Sequence, residues 1–293
     1  MVRPRRSALY LPASNPRALD KARTLPCDVV ILDLEDSVGP DAKDEARGLA
    51  VDAVRDGGFG GREVVVRVNG LDTPWGEADL AAAAEAGPDA ILVPKIAGPD
   101  DLPRYARALE GDTRLWAMIE TCAAMFRLEA IGAASLANRC DVWVIGANDL
   151  VKEMRCRPVA DRAPLQPALA MAVMAARAHG LSVLDGVYNA IQDIEGLARE
   201  CRQGADFGFD GKTLIHPSHL DAANAAFSPD PGDVAWARTV CEAFDRSENA
   251  GKGVLKVEGR MVERLHLGQA RRLIAVADAI AAHEGSEGNQ KAR

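Results

Sequence analysis

The 293-residue sequence predicts an α/β protein, a (β/α)8 TIM barrel with an appended C-terminal helical segment, on three observations. Eight short apolar runs recur along the chain, helical segments alternate with them, and most of the runs end in polar or acidic residues. Buried parallel strands that deliver chemistry to one rim have this pattern. The run Val29-Val30-Ile31-Leu32-Asp33-Leu34-Glu35-Asp36 shows it most clearly, being almost wholly apolar until it closes on carboxylates.

In chain order the expected strands are 8–11, 29–34, 64–68, 90–93, 115–119, 142–145, 182–184 and a weaker run at 207–209. Between them, segments rich in Ala, Leu, Arg and Glu predict helices at 16–24, 41–56, 75–85, 100–110, 123–131, 166–179 and 192–202. Eight alternating units favour a closed barrel over a doubly wound sheet, which more often carries about five to seven strands and a glycine-rich dinucleotide turn. Neither G-x-G-x-x-G nor G-x-x-x-x-G-K-[ST] occurs. The barrel is expected over 1–231. Residues 232–293 then form a lid or oligomer segment, with a helix at 234–249, the stretch Gly251-Lys252-Gly253-Val254-Leu255, and a second helix at about 268–282.

Composition narrows the function. With 48% hydrophobic and 27% charged residues the chain can bury a full core. A net charge of -8 and a pI near 5.3 argue against a nucleic-acid surface and leave a small molecule as the expected partner. Six cysteines are scattered without a C-x-x-C pair, which predicts reduced structural thiols in a cytoplasmic protein. No stretch of about 18 apolar residues offers a membrane span, and the basic start Met1-Val2-Arg3-Pro4-Arg5-Arg6 runs into a short strand and Pro12 rather than a signal sequence.

The barrel rule gathers the strand exits at one face: Asp33/Glu35/Asp36, Arg67/Asn69, Lys95, Glu120 and Asn148/Asp149. Glu120 and Asp149 end neighbouring strands, and two uncompensated acids there are costly unless a cation shares them. Oxygen-only donors in small number suit Mg²⁺, or Mn²⁺, which keep waters for a substrate to displace. The alternative is that Glu120 caps the next helix and Asp149 pairs with Lys152 in solvent. Arg67 inside an apolar strand is either a fork for a substrate carboxylate or enolate, or one half of an internal ion pair with Glu35 or Asp36. Neighbouring strand residues face opposite ways, so one of Glu35 and Asp36 is expected to be structural. Lys95 is read as a rim partner for a carboxylate, with a Schiff-base role as the alternative. His216, before Pro217, is read as a turn residue, with general base as the alternative. No Ser/His/Asp order or G-x-S-x-G is present.

Read together, these residues resemble the citrate lyase β-subunit-like branch of the HpcH/HpaI aldolase superfamily. The likeness is carried by Arg6-Ser7-x-Leu9-Tyr10-x-Pro12, Asp33-Leu34-Glu35-Asp36-Ser37-Val38, Val66-Arg67-Val68-Asn69, Val93-Pro94-Lys95, Ile119-Glu120-Thr121, Gly146-x-x-Asp149-Leu150, Asp210-Gly211-Lys212, Ile215-His216-Pro217 and the tail from Gly251-Lys252-Gly253 to Met261-Val262. The resemblance implies Mg²⁺ held by Glu120 and Asp149, a 2-oxo acid chelating it, Arg67 against the substrate's developing charge, and Asp36 holding the metal's waters. It also implies trimers or hexamers in which the C-terminal segment of one subunit closes over its neighbour's site. The activity implied is a carbon–carbon lyase acting on a 3-hydroxyacyl-coenzyme A thioester (citryl, malyl or citramalyl) to give a 2-oxo acid and an acyl-coenzyme A.

The tail departs from the family where Glu263 stands in place of the usual Asp, a proposed general acid/base, so the carboxylate is kept on a stem one methylene longer. Arg17, Lys21 and the Arg5/Arg6 pair are candidate contacts for coenzyme A phosphates, the alternative being solvated surface charge. Competing activities are a malyl- or citramalyl-coenzyme A thioesterase using the same residues, an aldolase that needs no coenzyme A, and a subunit that works only on carrier-bound substrate.

Overall fold

The structure is a computed structural model that describes residues 3–291. Eight parallel strands close into a barrel in sequence order: β1 (Ser7–Pro12), β2 (Val29–Asp33), β3 (Glu63–Arg67), β4 (Ala90–Val93), β5 (Arg114–Ile119), β6 (Cys140–Ile145), β7 (Ser182–Asp185) and β8 (Gly211–Leu214). Around them run α1 (Pro16–Ala22), α2 (Lys43–Asp56), α3 (Gly76–Ala86), α4 (Asp101–Ala106), α5 (Cys122–Met125), α6 (Leu128–Ser135), α7 (Ala147–Met154), α8 (Gln166–Ala178), α9 (Ile194–Phe207) and α10 (Leu220–Phe227). Residues 5–227 form one compact unit, and the chain from Ser228 onward, with the chain start, forms another. No helix among the described residues is long and apolar enough to cross a membrane.

Most strands are largely apolar on both faces because both are covered, and alternation divides their side chains between two cores. Ala8, Tyr10, Val29, Ile31, Val65, Leu92, Trp116, Met118 and Val144 fill the barrel interior. Leu9, Leu11, Val30, Leu32, Val66, Ile91 and Ala117 pack outward under the helices. The N-terminal end of the barrel is closed by charge: Arg6 forks onto Asp28 (2.9 and 2.8 Å), and Arg5 forks onto Glu63 (2.7 and 2.9 Å).

The eighth strand is Gly211–Leu214, not the aromatic run at 207–209. Phe207 ends α9, and Gly208 caps it in the left-handed conformation at φ +95°. β8 escapes an apolar pattern because Lys212 is wholly buried, bonded to Asp185 (3.1 Å), Glu200 (2.7 Å) and the Gly186 carbonyl. Arg162 completes this network through Nη1, which donates to both Asp185 oxygens (2.7 and 2.9 Å). The helices α7 and α10 lie outside the segments that the sequence predicts as helical, and α7 starts almost immediately after β6, where the sequence predicts a strand exit.

In the second unit, α11 (Pro231–Asp245) and α12 (Arg264–Lys291) pack with a two-stranded hairpin of β9 (Val254–Val257) and β10 (Arg260–Glu263) around Val240, Phe244, Leu255, Val257 and Val262. Its turn places Glu258 and Gly259 at φ +46° and +83°, the positive pair that a two-residue hairpin turn matching strand twist requires.

The seam of the barrel depends on Gly211, where a Cβ would sit 1.8 Å from the Arg5 carbonyl oxygen. We expect Gly211→Ala to lower the urea unfolding midpoint by the equivalent of about 1–3 kcal/mol, the usual cost of overpacking. An unchanged midpoint would show that β1 and β8 yield freely at this point.

Candidate active site

The mouth of the barrel is built first by an ion pair between β2 and β3. Asp33 accepts hydrogen bonds from the Glu35 and Ser37 amides (2.9 and 3.1 Å), which fixes the turn leaving β2. Its two carboxylate oxygens are gripped by Arg67 Nε and Nη2 (2.6 and 2.7 Å). The Arg67 fork is therefore held by Asp33, a partner the sequence placed only among the rim acids. Its remaining Nη1 lies 2.9 Å from Glu35 Oε2 and 3.5 Å from Asp36 Oδ2. Glu35 Oε2 is near Arg67 but not aligned for a hydrogen bond. Glu35 is buried and Asp36 is exposed on the rim, so the expected division of that pair into one structural and one accessible acid is what the structure shows.

Lys43, read from sequence only as a helix residue, turns inward to donate to the Leu34 and Glu35 carbonyls and to Asn69 Oδ1 (2.7, 2.7 and 2.8 Å). Asn69 in turn donates to Leu34 and Asp79. Asn69 is thus a brace for the β2 and β3 exits, not a ligand donor.

Glu120 follows β5 and points into the mouth. It does not cap the next helix, since Thr121 accepts from the Ala124 amide instead. One Glu120 oxygen accepts from the Lys95 amide (2.7 Å). The other lies so close to Gly146 that a Cβ there would be 2.1 Å away, so glycine at 146 is what makes room for this carboxylate. Asp149, in the first turn of α7, faces the same space, and its ion partner is Lys95 rather than Lys152. Lys95 holds a left-handed backbone (φ +53°) and sets its ammonium 3.5 Å from Glu35, 3.9 Å from Glu120 and 3.6 Å from Asp149. That is the rim pairing expected from sequence.

Burial pushes Glu120 above its ordinary carboxylate range, with Asp149 adding to the rise and Lys95 opposing it. Glu35 is pushed up to about 7, again chiefly by burial. Glu120 and Asp149, with Arg67, Asp36, Tyr10 and Met118, surround a cavity of about 240 Å³. Glu120 and Asp149 also border a second depression of about 450 Å³, rimmed by Lys152 and Arg155.

A divalent metal fits this donor set. The donors are all oxygen, they are too acidic together for their burial, and a lysine ammonium already stands among three of them as a cation. Among the described residues no group of three or more His, Cys, Asp and Glu is arranged as a metal cage. Two carboxylates plus waters and substrate is the coordination that Mg²⁺ tolerates and a structural zinc does not.

The remaining candidates separate by position. Arg5 and Arg6 are engaged in ion pairs at the N-terminal end of the barrel, opposite the mouth, so they are not coenzyme A contacts. Arg17 and Lys21 are exposed one turn apart on α1, which follows β1 from the mouth. His216 caps a short turn through Ser218 and is exposed, as its place before Pro217 suggested. Asn148 exchanges amide hydrogen bonds with Asn189 (3.3 and 2.7 Å) at the edge of the cavity. Glu263 ends β10 in the second unit, where its amide donates to His266 Nδ1 (2.9 Å). Tyr10, Met118 and Gly146 also line the cavity; Tyr10 and Gly146 carry a sequence signal through the motifs Arg6-Ser7-x-Leu9-Tyr10-x-Pro12 and Gly146-x-x-Asp149-Leu150, and Met118 carries none.

Comparison with known proteins agrees with this architecture. Residues 6–217 match the family model described as HpcH/HpaI aldolase/citrate lyase. The chain is 50% identical over 283 residues to a (3S)-malyl-CoA thioesterase of Cereibacter sphaeroides, covering 97% of this chain and 98% of that one. It is 32% identical to the citrate lyase subunit beta of Leuconostoc mesenteroides subsp. cremoris, covering 94% of each. Among solved structures, the CitE protein of Mycobacterium tuberculosis in complex with magnesium, acetoacetate and coenzyme A superposes with a TM-score of 0.74 at 29% identity, covering 93% of this chain and 97% of that one. With a family model matched over most of its length and whole-length relatives well above 30% identity, the chain belongs to the HpcH/HpaI aldolase/citrate lyase family of enzymes.

Proposed function

We propose that this enzyme is a Mg²⁺-dependent hydrolase of malyl-type coenzyme A thioesters, releasing the free hydroxy acid and coenzyme A. The observation that carries this reading is the 50% identity over nearly the whole chain to a (3S)-malyl-CoA thioesterase, against 32% to a citrate lyase subunit. The lyase reading stands second. It is favoured by the family match, and it would use the same mouth to split the substrate into a 2-oxo acid and an acyl-coenzyme A.

In the proposed reaction the oxygen of water forms a bond to the thioester carbon, the carbonyl electron pair moves onto oxygen, and collapse breaks the C–S bond, the sulfur leaving with the pair and a proton. When bound between Glu120 and Asp149, Mg²⁺ supplies Lewis-acid polarisation and a fixed anchor for the hydroxy-carboxylate end of the substrate. Glu120, lodged against Gly146 and the Lys95 amide, is held in one orientation before substrate arrives. Arg67 Nη1 presents a fixed donor to the oxygen on which negative charge grows, because Asp33 locks the other two guanidinium nitrogens. Asp36, exposed on the rim, orders water and accepts its proton, and Glu263 from a neighbouring subunit serves as the tail acid that the family resemblance implies. Arg17 and Lys21 offer positive charge to the coenzyme's phosphates. The proposed setting is a cytoplasmic trimer or hexamer.

Two measurements test this reading most directly. Purified enzyme supplied with (S)-malyl-coenzyme A and Mg²⁺ is expected to yield malate and free coenzyme A in equal amounts; glyoxylate and acetyl-coenzyme A instead would establish the lyase. Asp149→Asn is expected to abolish the Mg²⁺-dependent turnover with an unchanged circular dichroism spectrum, and retained metal-dependent turnover would remove Asp149 from the site.

Arg67→Lys replaces a planar fork by a point charge and leaves one Asp33 oxygen without its partner. We expect kcat/KM to fall about 100-fold, equivalent to about 2.7 kcal/mol, together with a lower unfolding midpoint. Near-normal kinetics would show that the guanidinium geometry is unimportant.

Glu35 gives a pH test on the metal-free protein. Its folded pKa of about 7 lies above the ordinary value of 4.5, so the folded state holds the proton more tightly than the unfolded one. Stability associated with this group is present at low pH and is lost as pH rises from about 4.5 through 7. Glu35→Gln is therefore expected to gain about 1–3 kcal/mol relative to the parent between pH 5 and pH 8 in EDTA. A difference that does not change with pH would show that Glu35 ionises normally.

A further inference from the structure

The cavity floor contains one hydroxyl that neither the fold nor the mechanism above uses. Tyr10 is buried in the barrel interior among Ile31, Val65 and Leu92, and its ring lies beneath the Arg67 guanidinium, 4.6 Å from its carbon. Phenylalanine would provide that packing and that cation–π contact equally well. The phenol oxygen, however, has only the Met118 sulfur as a partner among the described residues, at 4.0 Å. Arg67 Nη1 approaches the same sulfur at 3.8 Å. Two strong donors thus converge on a thioether, a weak acceptor, at the wall of the cavity that Glu120 and Asp149 also line. A buried hydroxyl without an oxygen or nitrogen partner is costly unless a ligand supplies one. Burial and the nearby acids Asp33, Glu120 and Glu35 push the phenol pKa well up, outweighing the opposing pull of Arg67, so it remains a donor through the neutral range.

We propose that Tyr10 is a catalytic residue whose hydroxyl donates a hydrogen bond to the thioester carbonyl oxygen of the bound acyl group, forming an oxyanion hole with Arg67 Nη1. No proton is transferred. The bond strengthens as the carbonyl electron pair moves onto that oxygen, and Met118 sulfur is the neutral wall against which both donors rest before the substrate arrives. The inference rests on the proposed thioester chemistry, and it concerns the same oxygen whether water attacks the thioester carbon or C–C cleavage generates the enolate.

The test is Tyr10→Phe in the full-length enzyme with Mg²⁺, which keeps the ring. The expected result is a fall in kcat of about 100-fold, the usual effect of removing one oxyanion donor, with KM changed less than about threefold. Mn²⁺ affinity, followed by electron paramagnetic resonance, and the melting temperature should match the parent. A kcat within twofold of the parent would overturn the proposal. So would a loss of kcat accompanied by an equal loss of Mn²⁺ affinity or by a clear drop in melting temperature, either of which marks a structural role. If the parent enzyme yields glyoxylate and acetyl-coenzyme A, the hydrolase reading fails while the same kcat comparison still decides on Tyr10. If the parent turns over no such thioester at all, the Tyr10 proposal falls with it.

Discussion

Carboxylates crowded into a desolvated barrel mouth raise the free energy of the fold unless positive charge joins them, and this constraint organises the whole rim. Glu35 and Glu120 are both held above their ordinary pKa by burial. Arg67 and Lys95 answer part of that charge directly, and Lys43 braces the same turn through the Leu34 and Glu35 carbonyls. The ammonium of Lys95, spread over three acids at 3.5–3.9 Å, satisfies none of them fully. A small divalent cation between Glu120 and Asp149 would answer the remaining charge at shorter range than an ammonium, which is why a metal-dependent reading follows from the electrostatics as well as from kinship.

The buried fork between Asp33 and Arg67 converts that electrostatic situation into geometry. Burying such a pair brings little net stability by itself, but removing either partner leaves a charge stranded inside the barrel. Its service is to orient the third guanidinium nitrogen. Asp33 is held by two backbone amides of the β2 exit, Arg67 leaves β3 in register with it, and Tyr10 from β1 floors the guanidinium. Three successive strands therefore set one donor, which is the kind of preorganisation that electrostatic catalysis requires.

Much of this was legible in the amino-acid order. Seven of the eight strands follow from apolar runs, and Glu120, Asp149, Asp36 and Arg67 do meet at one mouth, because a parallel barrel brings strand ends together whatever the side chains. The eighth strand was hidden because its lysine finds buried acids contributed by β7 and α9, a compensation invisible in a local window. The hairpin of the second unit was missed for the opposite reason, since four-residue strands alternating between exposed and buried positions give too short a periodic signal. Asp33 looked like one more rim acid; only the register that sets it beside Arg67 shows that it belongs to the support of the site. Arg5 and Arg6 seemed available to phosphates until their place before β1 put them at the closed end with Glu63 and Asp28.

The proposed chemistry requires one ion held by two acids from neighbouring strand ends. Crystals grown with Mn²⁺ and measured above its absorption edge locate that ion directly by anomalous scattering. A peak within ordinary metal–oxygen distance of both Glu120 and Asp149 is the predicted result. A peak elsewhere in the protein, or none at saturating Mn²⁺ with an intact rim, would contradict it.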